Sequence, residues 1–379
     1  MAKKKKKSVH LPHEVITEIL LRLPAKTLVR CRCVCKSWRS LISHDSHFAI
    51  SHFQFTTTHK LFFIYYDVPK TLSIDFNASL YDDTAFSSSL RLRFLPPRGS
   101  RLQIGGSCRG FLFLHCHRSI YLWNPSTGIH RKIPIASNHN TSKLLLCGFA
   151  YDTIADDYLV VLGSYKYIVT LDPVYSPVNL EIFSLRANKW KQIEVAAYLP
   201  YRKTANSVEG PIVGFVLNGS IHWLVCNYET GENFITSFDL KEMRMSEIAL
   251  PDDFCMELEL YYSLSSIDYD LFEFCGHISA WKVEMQTIEI WVMQEYKVHS
   301  SWTKTVHFSY DPAPSFNPIY FTNCGDIVGT VGDGGLVKFN DKGVMLEYRS
   351  YGDCFFERSQ MVVYTESLLS FPGGTTDQP

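Results

Sequence analysis

Four short stretches of the sequence carry residue types that could do chemistry. Residues 106–110, Gly-Ser-Cys-Arg-Gly, have the form Gly-x-nucleophile-x-Gly, in which Cys108 would need a histidine and an acid close in space. Such an elbow requires a strand-to-helix turn, and no alternating pattern of strands and helices surrounds this one. We therefore interpret residues 106–110 as a hairpin turn.

Two groups of cysteines and histidines suggest a metal site until their spacing is considered. If Cys31, Cys33 and Cys35 lie on a helix, the first and third share a face and the middle one points away, so the three cannot converge on one zinc ion. Residues 115–117, His-Cys-His, alternate across a predicted strand, which puts Cys116 opposite the two histidines. We predict structural roles for both groups, with no metal and no cofactor.

The fourth stretch is glycine-rich. Residues 332–335, Gly-Asp-Gly-Gly, lack the Lys and the Ser or Thr of a phosphate-binding loop, and no helical pattern follows them. We predict a turn there. None of the four stretches gives a catalytic residue.

Charge and composition favour protein partners over nucleic acid or membrane. The chain has 37 Lys and Arg against 38 Asp and Glu, so no global field draws it toward either. No stretch approaches the roughly 20 apolar residues of a spanning helix, and no signal-peptide segment follows the N-terminal lysines. The eleven cysteines mostly lie in apolar runs, which suits reduced thiols. We expect an intracellular soluble protein of the cytoplasm, the nucleus or both.

The elements that must position these residues change in kind along the chain. From Leu11 to about Ile50, apolar residues recur every three or four positions, which predicts two or three short helices. Pro24 prevents the first helix from continuing into the second. After about residue 55, short apolar runs alternate with Gly, Asn, Asp, Pro and Ser turns, which predicts strands.

An internal repeat organises the β-rich part. Each unit has an apolar strand with an aromatic residue, a polar turn and a second strand. The aromatic residues are Trp123, Phe183, Phe238, Trp291 and Phe339, which lie 60, 55, 53 and 48 residues apart. A recurrence near 50 residues predicts the radial blades of a kelch-like propeller, with about six blades in residues 60–365.

The predicted fold class is therefore an α+β multidomain chain, with a small N-terminal trihelical module followed by an all-β kelch-like propeller. The helical module should span residues 11–50 and the propeller residues 60–365. Residues 1–10 and 370–379 are predicted to be disordered tails. Lys3 to Lys7 could be a nuclear-localisation patch or simply a solvated run.

Residues 11–42 closely resemble the F-box. They contain Leu-Pro pairs at 11–12 and 23–24 and the run Val-Cys-Lys-Ser-Trp at 34–38. A helical cluster of about 40 residues with apolar residues on several faces cannot bury them alone, so it needs a partner. The resemblance implies that this partner is the Skp-family adaptor, which tethers F-box proteins to cullin and RING subunits.

By position, the resemblance implies an adaptor-facing or interface-supporting set. This set is Leu11, Pro12, Ile16, Leu20, Pro24, Leu28, Val34, Cys35 and Trp38. Several members, especially Leu20 and Val34, could instead belong to the internal core of the trihelical module.

The C-terminal region resembles the kelch-like, type 1 F-box-associated domain of plant F-box proteins, including S-locus F-box-like proteins. Leu159 departs from the family pattern, which usually has Lys after Asp-Asp-Tyr. The matching segments are 106–112, 122–128, 148–152 with 156–158, 216–223, 237–240, and 290–293 with 301–303.

Together, the two resemblances imply a non-catalytic substrate-recognition subunit of an SCF-type cullin-RING E3 ubiquitin ligase. The F-box would dock the adaptor and the propeller would bind an unidentified target protein, with no target-binding residue assigned. Two alternatives stay open. One is an oxidase-type propeller enzyme, which would need a copper site of Tyr, His and Cys, and the other is an F-box scaffold that does not direct ubiquitination.

Overall fold

The computed structural model describes most of the chain between residues 11 and 372. The predicted tail at 1–10, with Lys3 to Lys7, lies outside the described residues, as do residues 373–379 of the predicted tail at 370–379. The described ranges are 11–56, 59–65, 71–75, 79–81, 86–87, 92, 94, 101–116, 119–135, 142–166, 178–193, 201–202, 210–227, 232–254, 268–284, 287–309, 316–322, 325–331, 335–350 and 359–372.

Four short helices form the N-terminal module: α1 His13–Leu21, α2 Ala25–Cys31, α3 Lys36–His44 and α4 Ser46–Phe55. Pro12 and Pro24 lie at the N-caps of α1 and α2, where prolines sit without costing an intrahelical hydrogen bond. Asp45 ends α3 and caps α4, because its carboxylate accepts the Phe48 amide at 2.9 Å. This shared cap explains the fourth helix, which the trihelical prediction did not include.

Six sheets follow the helices in the described part of the chain, and we number them as blades 1 to 6. Blade 1 begins with β1 His59–Tyr65, β2 Thr71–Asp75 and β3 Phe86–Ser87. Blade 2 contains β4 Gln103–Cys108, β5 Phe111–Cys116, β6 Ser119–Trp123 and β7 His130–Ile133. Blade 3 contains β8 Ser142–Asp152, β9 Asp157–Lys166, β10 Val178–Ser184 and β11 Lys189–Ile193.

The remaining blades complete the ring. Blade 4 contains β12 Tyr201–Arg202, β14 Phe215–Leu217, β15 Ser220–Asn227, β16 Asn233–Asp239 and β17 Arg244–Ile248, while β13 Ile212–Val213 pairs in parallel with β8. Blade 5 contains β18 Asp268–Phe274, β19 His277–Glu284, β20 Thr287–Met293 and β21 Trp302–Ser309. Blade 6 contains β22 Phe316–Phe321, β23 Ile327–Val331, β24 Gly335–Phe339 and β25 Met345–Ser350. Short 3₁₀ helices span Asp252–Phe254 and His299–Ser301.

The last strand, β26 Ser359–Thr365, closes the ring by joining blade 1. It pairs antiparallel with β1, from His59 opposite Thr365 to Tyr65 opposite Ser359. The strands β26, β4, β8, β14, β18 and β22 contact one another in that order, so they form the inner ring of the propeller. Blade 1 is therefore built from both ends of the β-rich region.

The predicted repeat is confirmed, because its five aromatic residues all lie on the third strand of a blade, counted outward from the inner ring. Trp123, Phe183, Phe238, Trp291 and Phe339 lie on β6, β10, β16, β20 and β24, and each is at most 7% exposed. Their side chains fill the space between and within blades; Trp123, for example, packs edge-on against Phe62 of blade 1 at 5.6 Å between ring centroids. A small helical module followed by an all-β, six-bladed propeller is the fold that the sequence predicted.

One buried apolar cluster contains residues of both the helices and the propeller. The helices contribute Leu20, Leu21, Ala25, Leu28, Ile42, Phe48 and Ala49. Blades 2 and 3 and the segment after β26 contribute Phe111, Phe113, Ile120, Leu122, Ile133, Cys147, Phe149, Tyr158, Val160, Leu162, Phe183, Leu185, Leu368, Leu369 and Phe371. Phe371 is only 5% exposed, so the chain stays packed beyond residue 370, where the sequence predicted a frayed end.

Candidate adaptor and target surfaces

Helix α1 carries apolar residues on two faces, and the structure buries only one of them. Leu20 is 1% exposed and Ile16 packs against the same buried cluster. Val15, which precedes Ile16, is 42% exposed, and Ile19, which precedes Leu20, is 50% exposed. Residues four apart lie on one helical face, so Leu11, Val15 and Ile19 form an exposed apolar row at and just before α1.

The nine residues that the resemblance singled out fall into three groups. Leu11, Pro12, Pro24, Val34 and Cys35 are exposed, with Val34 at 63%, whereas Ile16 and Trp38 are partly buried.

Leu20 and Leu28, at 1% and 0% exposure, belong to the core. Val34 does not, although the sequence left it open as a core residue. Sequence reasoning missed Val15 and Ile19, which the four-residue spacing from Leu11 could have indicated.

The charged residues of α2, α3 and the turn between them are all basic. Lys26, Arg30, Lys36 and Arg39 are exposed, and no acidic residue lies between Ala25 and His44. Partial burial, and then the charge of Arg39, lowers the pKa of Arg32 from its usual value. Val34 therefore lies in a stretch of the module whose charged side chains are all basic.

The candidate nucleophile Cys108 lies at the end of β4, in a hairpin. Cys108 pairs with Phe111, and the two residues between them, Arg109 and Gly110, have φ values of 48° and 82°. Two left-handed residues in a two-residue loop are typical of a type I′ turn. Burial raises the pKa of the Cys108 thiol to about 12, so it holds almost no thiolate at neutral pH. The hairpin interpretation is confirmed.

The cysteines of the helical module do not share one helix. Helix α2 ends at Cys31, and Cys35 is the N-cap of α3, where its sulfur accepts the Trp38 amide at 3.4 Å. The spacing argument from a continuous helix therefore does not apply, and Cys35 instead has a capping role. In the described ranges, no three His, Cys, Asp or Glu side chains are grouped as a metal site.

The other two stretches are only partly described. Cys116 is buried on β5, with its sulfur 3.6 Å from the Ser119 carbonyl oxygen, whereas His117 lies outside the described residues. Residues 332–334 also lie outside them, and Gly335 pairs with Val331 across that gap.

The two ends of the propeller differ in their connections. The first and second strands of blades 2 and 3, and the third and fourth, are joined by short turns at the end where the helices pack. There the Arg109 guanidinium lies 5.7 Å from the Phe53 ring of α4 and 3.8 Å from the Tyr151 ring. Antiparallel pairing places the Lys166 end of β9 and the Val178 end of β10 at the opposite end. Residues 167–177, which join them, lie outside the described residues, as do 255–267 and 351–358.

Helices that leave an apolar row exposed, fused to a six-bladed propeller, define a two-module binding protein. Comparison with known families agrees with this class. The F-box domain matches residues 9–49, and the F-box associated beta propeller domain matches residues 61–329. The chain belongs to the F-box associated beta propeller family.

Relatives with known names support the same assignment. The chain is 27% identical to the F-box protein CPR1 of Arabidopsis thaliana over 314 residues, which cover 78% of this chain and 72% of the relative. It is 29% identical to the Arabidopsis F-box/kelch-repeat protein At3g23880 over 320 residues, which cover 78% of each. None of the described helices is long and apolar enough to cross a membrane.

Proposed function

We propose that this chain is the substrate-recognition subunit of an SCF-type cullin-RING ubiquitin ligase. Its F-box docks a Skp-family adaptor and its propeller binds a target protein. The observation that carries the proposal is the exposed apolar row of Leu11, Val15 and Ile19, together with Val34, in a module that matches the F-box. The subunit itself is non-catalytic and works in the cytoplasm or the nucleus.

The exposed row has the physical character of a protein interface. Burying apolar surface contributes about 25 cal/mol per Å², so four large side chains left 42–63% exposed hold free energy that a partner can recover. The basic residues of α2, α3 and the turn between them favour a partner with acidic groups around an apolar centre. These features define the adaptor surface that we propose, with Leu20 and Leu28 supporting it from the core.

Ubiquitin transfer then occurs on partner subunits. The adaptor links the F-box to cullin and RING subunits, and a target held by the propeller is kept near the charged conjugating enzyme. Tethering of this kind accelerates a reaction by raising the effective concentration of the target, without requiring a catalytic side chain in the tether.

The test is the double substitution Val15→Asp and Ile19→Asp. Two carboxylates in an apolar interface should weaken co-purification with a Skp-family adaptor by about 100-fold or more, because each interface residue of this kind contributes about 2 kcal/mol. The helical content of the variant should stay unchanged, since both side chains are already exposed. Substituting Leu20 would not serve, because loss of a buried core residue could abolish binding by unfolding the module.

A control places one carboxylate of the same kind on the propeller. Ile154, in the turn between β8 and β9, is 76% exposed, so Ile154→Asp introduces a carboxylate at a surface apolar residue outside the F-box. We expect it to bind the adaptor like the unsubstituted chain. Equal adaptor binding by the Val15 and Ile19 double variant would refute the docking surface.

Target capture is tested in cells with the Val15→Asp and Ile19→Asp double variant, which keeps the buried cluster that the helices share with the propeller. When this variant replaces the unsubstituted chain, bound target proteins should persist and accumulate on the propeller, and their levels should fall when the unsubstituted chain is restored. A bound protein whose level does not respond would indicate a scaffold that does not direct ubiquitination.

A further inference from the structure

The segment that follows β26 leaves blade 1 and is bound by blade 2. The Asn124 side chain, which is fully buried, donates its amide hydrogens to the carbonyl oxygens of Ser367 and Leu369, both at 3.1 Å, and to the Ser367 hydroxyl at 3.2 Å. The Ser367 amide in turn donates to the Ser126 hydroxyl at 3.2 Å. Residues 365–371, which we call the strap, are therefore held by the turn that ends the third strand of blade 2.

Asn124 binds the strap through its NH₂ group, in addition to a turn interaction that it shares with residues at the same position in other blades. The oxygens of Asn124, Asp239 and Asn340 all accept backbone amides of the turn after a third strand. This turn needs only an acceptor, and Asp239 supplies one as a carboxylate. Binding the strap also needs the donor NH₂ group, which a carboxylate lacks. The side-chain NH₂ group of Asn124 is therefore required for binding the strap and not for forming the turn.

Charge and close packing hold the strap at its beginning. Glu366 forms an ion pair with Lys60 of β1 at 2.6 Å, with the two side chains 6% and 15% exposed. Gly110, in the hairpin between β4 and β5, lies directly against the strap. A β-carbon at Gly110 would collide with the Ser367 side chain and would come within 2.8 Å of the Thr365 carbonyl oxygen.

The apolar residues of the strap pack in the cluster shared by the helices and the propeller. Leu368, Leu369 and Phe371 are 5%, 6% and 5% exposed. The Phe371 ring lies 4.3 Å from the Phe111 ring of blade 2, between centroids. The same cluster contains residues of α1, α2, α3 and α4. The strap thus belongs to the buried cluster that contains residues of both modules.

We infer that the strap fastens the helical module to the propeller and fixes their relative orientation, with Asn124 as its specific anchor. Blade 2 supplies a built site for this one extended segment of the same chain. A consequence, which rests on the proposed function, is that the adaptor and the target are held at a fixed separation. The fastening itself does not depend on that function.

The experiment compares two equivalent glycines in the full chain. Gly110 and Gly276 are the second residues of the hairpins that open blades 2 and 5, with φ values of 82° and 80°. Alanine therefore strains the backbone equally at both. At Gly276, however, a β-carbon would meet no described atom within 4 Å, whereas at Gly110 it would meet the strap. The difference between Gly110→Ala and Gly276→Ala at residues 365–371 reports the contact with the strap, whereas α4 also contacts this hairpin directly through Arg109 and Phe53.

Hydrogen exchange measured on the isolated chain, without adaptor, is the readout. In Gly110→Ala, amides of residues 365–371 and of α4 should exchange about tenfold faster or more, while those of β18 to β21 stay unchanged. Gly276→Ala should leave the strap and α4 as they are. Equal exchange in the two variants at the strap and α4 would overturn the inference.

A second pair of variants keeps the inference testable if Gly110→Ala does not fold. Asn124→Asp keeps the turn acceptor but replaces three donor contacts with a buried carboxylate facing two carbonyl oxygens, so the strap and α4 should again exchange faster. Asn340→Asp makes the same change at the corresponding turn of blade 6 and should leave both unaffected. If the exchange results are as expected but the unsubstituted chain does not bind the adaptor, the proposed function is rejected and the inference about the strap stands. A strap unchanged in Asn124→Asp would reject the inference.

Discussion

The repeated aromatic residues of the propeller and the apolar residues of helix α1 and the turn after α2 differ in burial. In the propeller, the five repeated aromatic residues are at most 7% exposed, and each packs within its own blade or against a neighbour. In the module, Val15, Ile19 and Val34 stay 42–63% exposed beside a buried core. We therefore assign the repeated aromatic residues to the architecture of the propeller and the exposed residues of the module to the proposed interface.

Size explains the difference. A module of about 40 residues has too little interior to cover several apolar faces, so some remain for a partner. Each blade of the propeller instead has two neighbouring blades, and the repeat buries its faces in a closed ring. We therefore propose that the target binds connections between propeller strands, whereas the adaptor binds a helix face.

The largest predicted effect is the loss of stability when a repeated aromatic residue of the propeller is removed. Phe183 on β10 is fully buried and packs against Trp190 at 5.2 Å between ring centroids. We expect Phe183→Ala to lower the free energy of unfolding by about 3–5 kcal/mol, because a cavity replaces a buried ring. Val34→Ala should change it by less than about 0.5 kcal/mol. Urea denaturation of both variants is the measurement, and similar effects would contradict the distinction.

Two neighbouring residues of α1 sharpen the comparison within one helix. Leu20→Ala should destabilise the module by about 2–5 kcal/mol, because Leu20 is 1% exposed in the core. Ile19→Ala, at 50% exposure, should leave stability within about 0.5 kcal/mol and weaken adaptor binding. Thermal unfolding followed by circular dichroism, with adaptor affinity measured in parallel, tests both. A stability loss at Ile19 equal to that at Leu20 would show that the exposed row supports the core.

The sequence predicted most of the architecture because the propeller repeats. Each of five blades carries its aromatic residue on the third strand, so spacing alone revealed the period. The closure of blade 1 gave no such signal, since His59 pairs with Thr365, 306 residues away, and no local pattern links them. The fourth helix was hidden for a local reason, because one residue, Asp45, both ends α3 and caps α4.

The candidate site was less predictable than the fold. Val15, Ile16, Ile19 and Leu20 offer two apolar faces of similar hydrophobicity, and periodicity cannot say which one the chain itself covers. The outcome depends on packing against the blades, which brings Ile16 and Leu20 into the shared cluster. The role of Asn124 was likewise invisible in sequence, because its turn resembles those of other blades and the strap lies 243 residues away.

The smallest expected effect concerns pH and is confined to the propeller. His222 on β15 is fully buried, and its Nε2 lies 3.0 Å from the Tyr296 hydroxyl. Burial, reinforced by the positive charge of Lys297, lowers the pKa of His222 to about 4, although a backbone hydrogen bond to Phe215 opposes the shift. Because the unfolded chain binds a proton near pH 6.5 and the folded chain does not, acid favours unfolding through this residue.

His222 therefore contributes full stability above about pH 6.5 and loses it progressively as the pH falls toward 4. Between pH 7 and pH 5 the unsubstituted chain should lose about 2 kcal/mol more than His222→Gln, whose side chain does not titrate. Urea denaturation at both pH values measures this difference and cancels other titrating groups. Equal slopes would mean that His222 protonates in the folded blade, and that burial in the propeller is looser than its aromatic repeat implies.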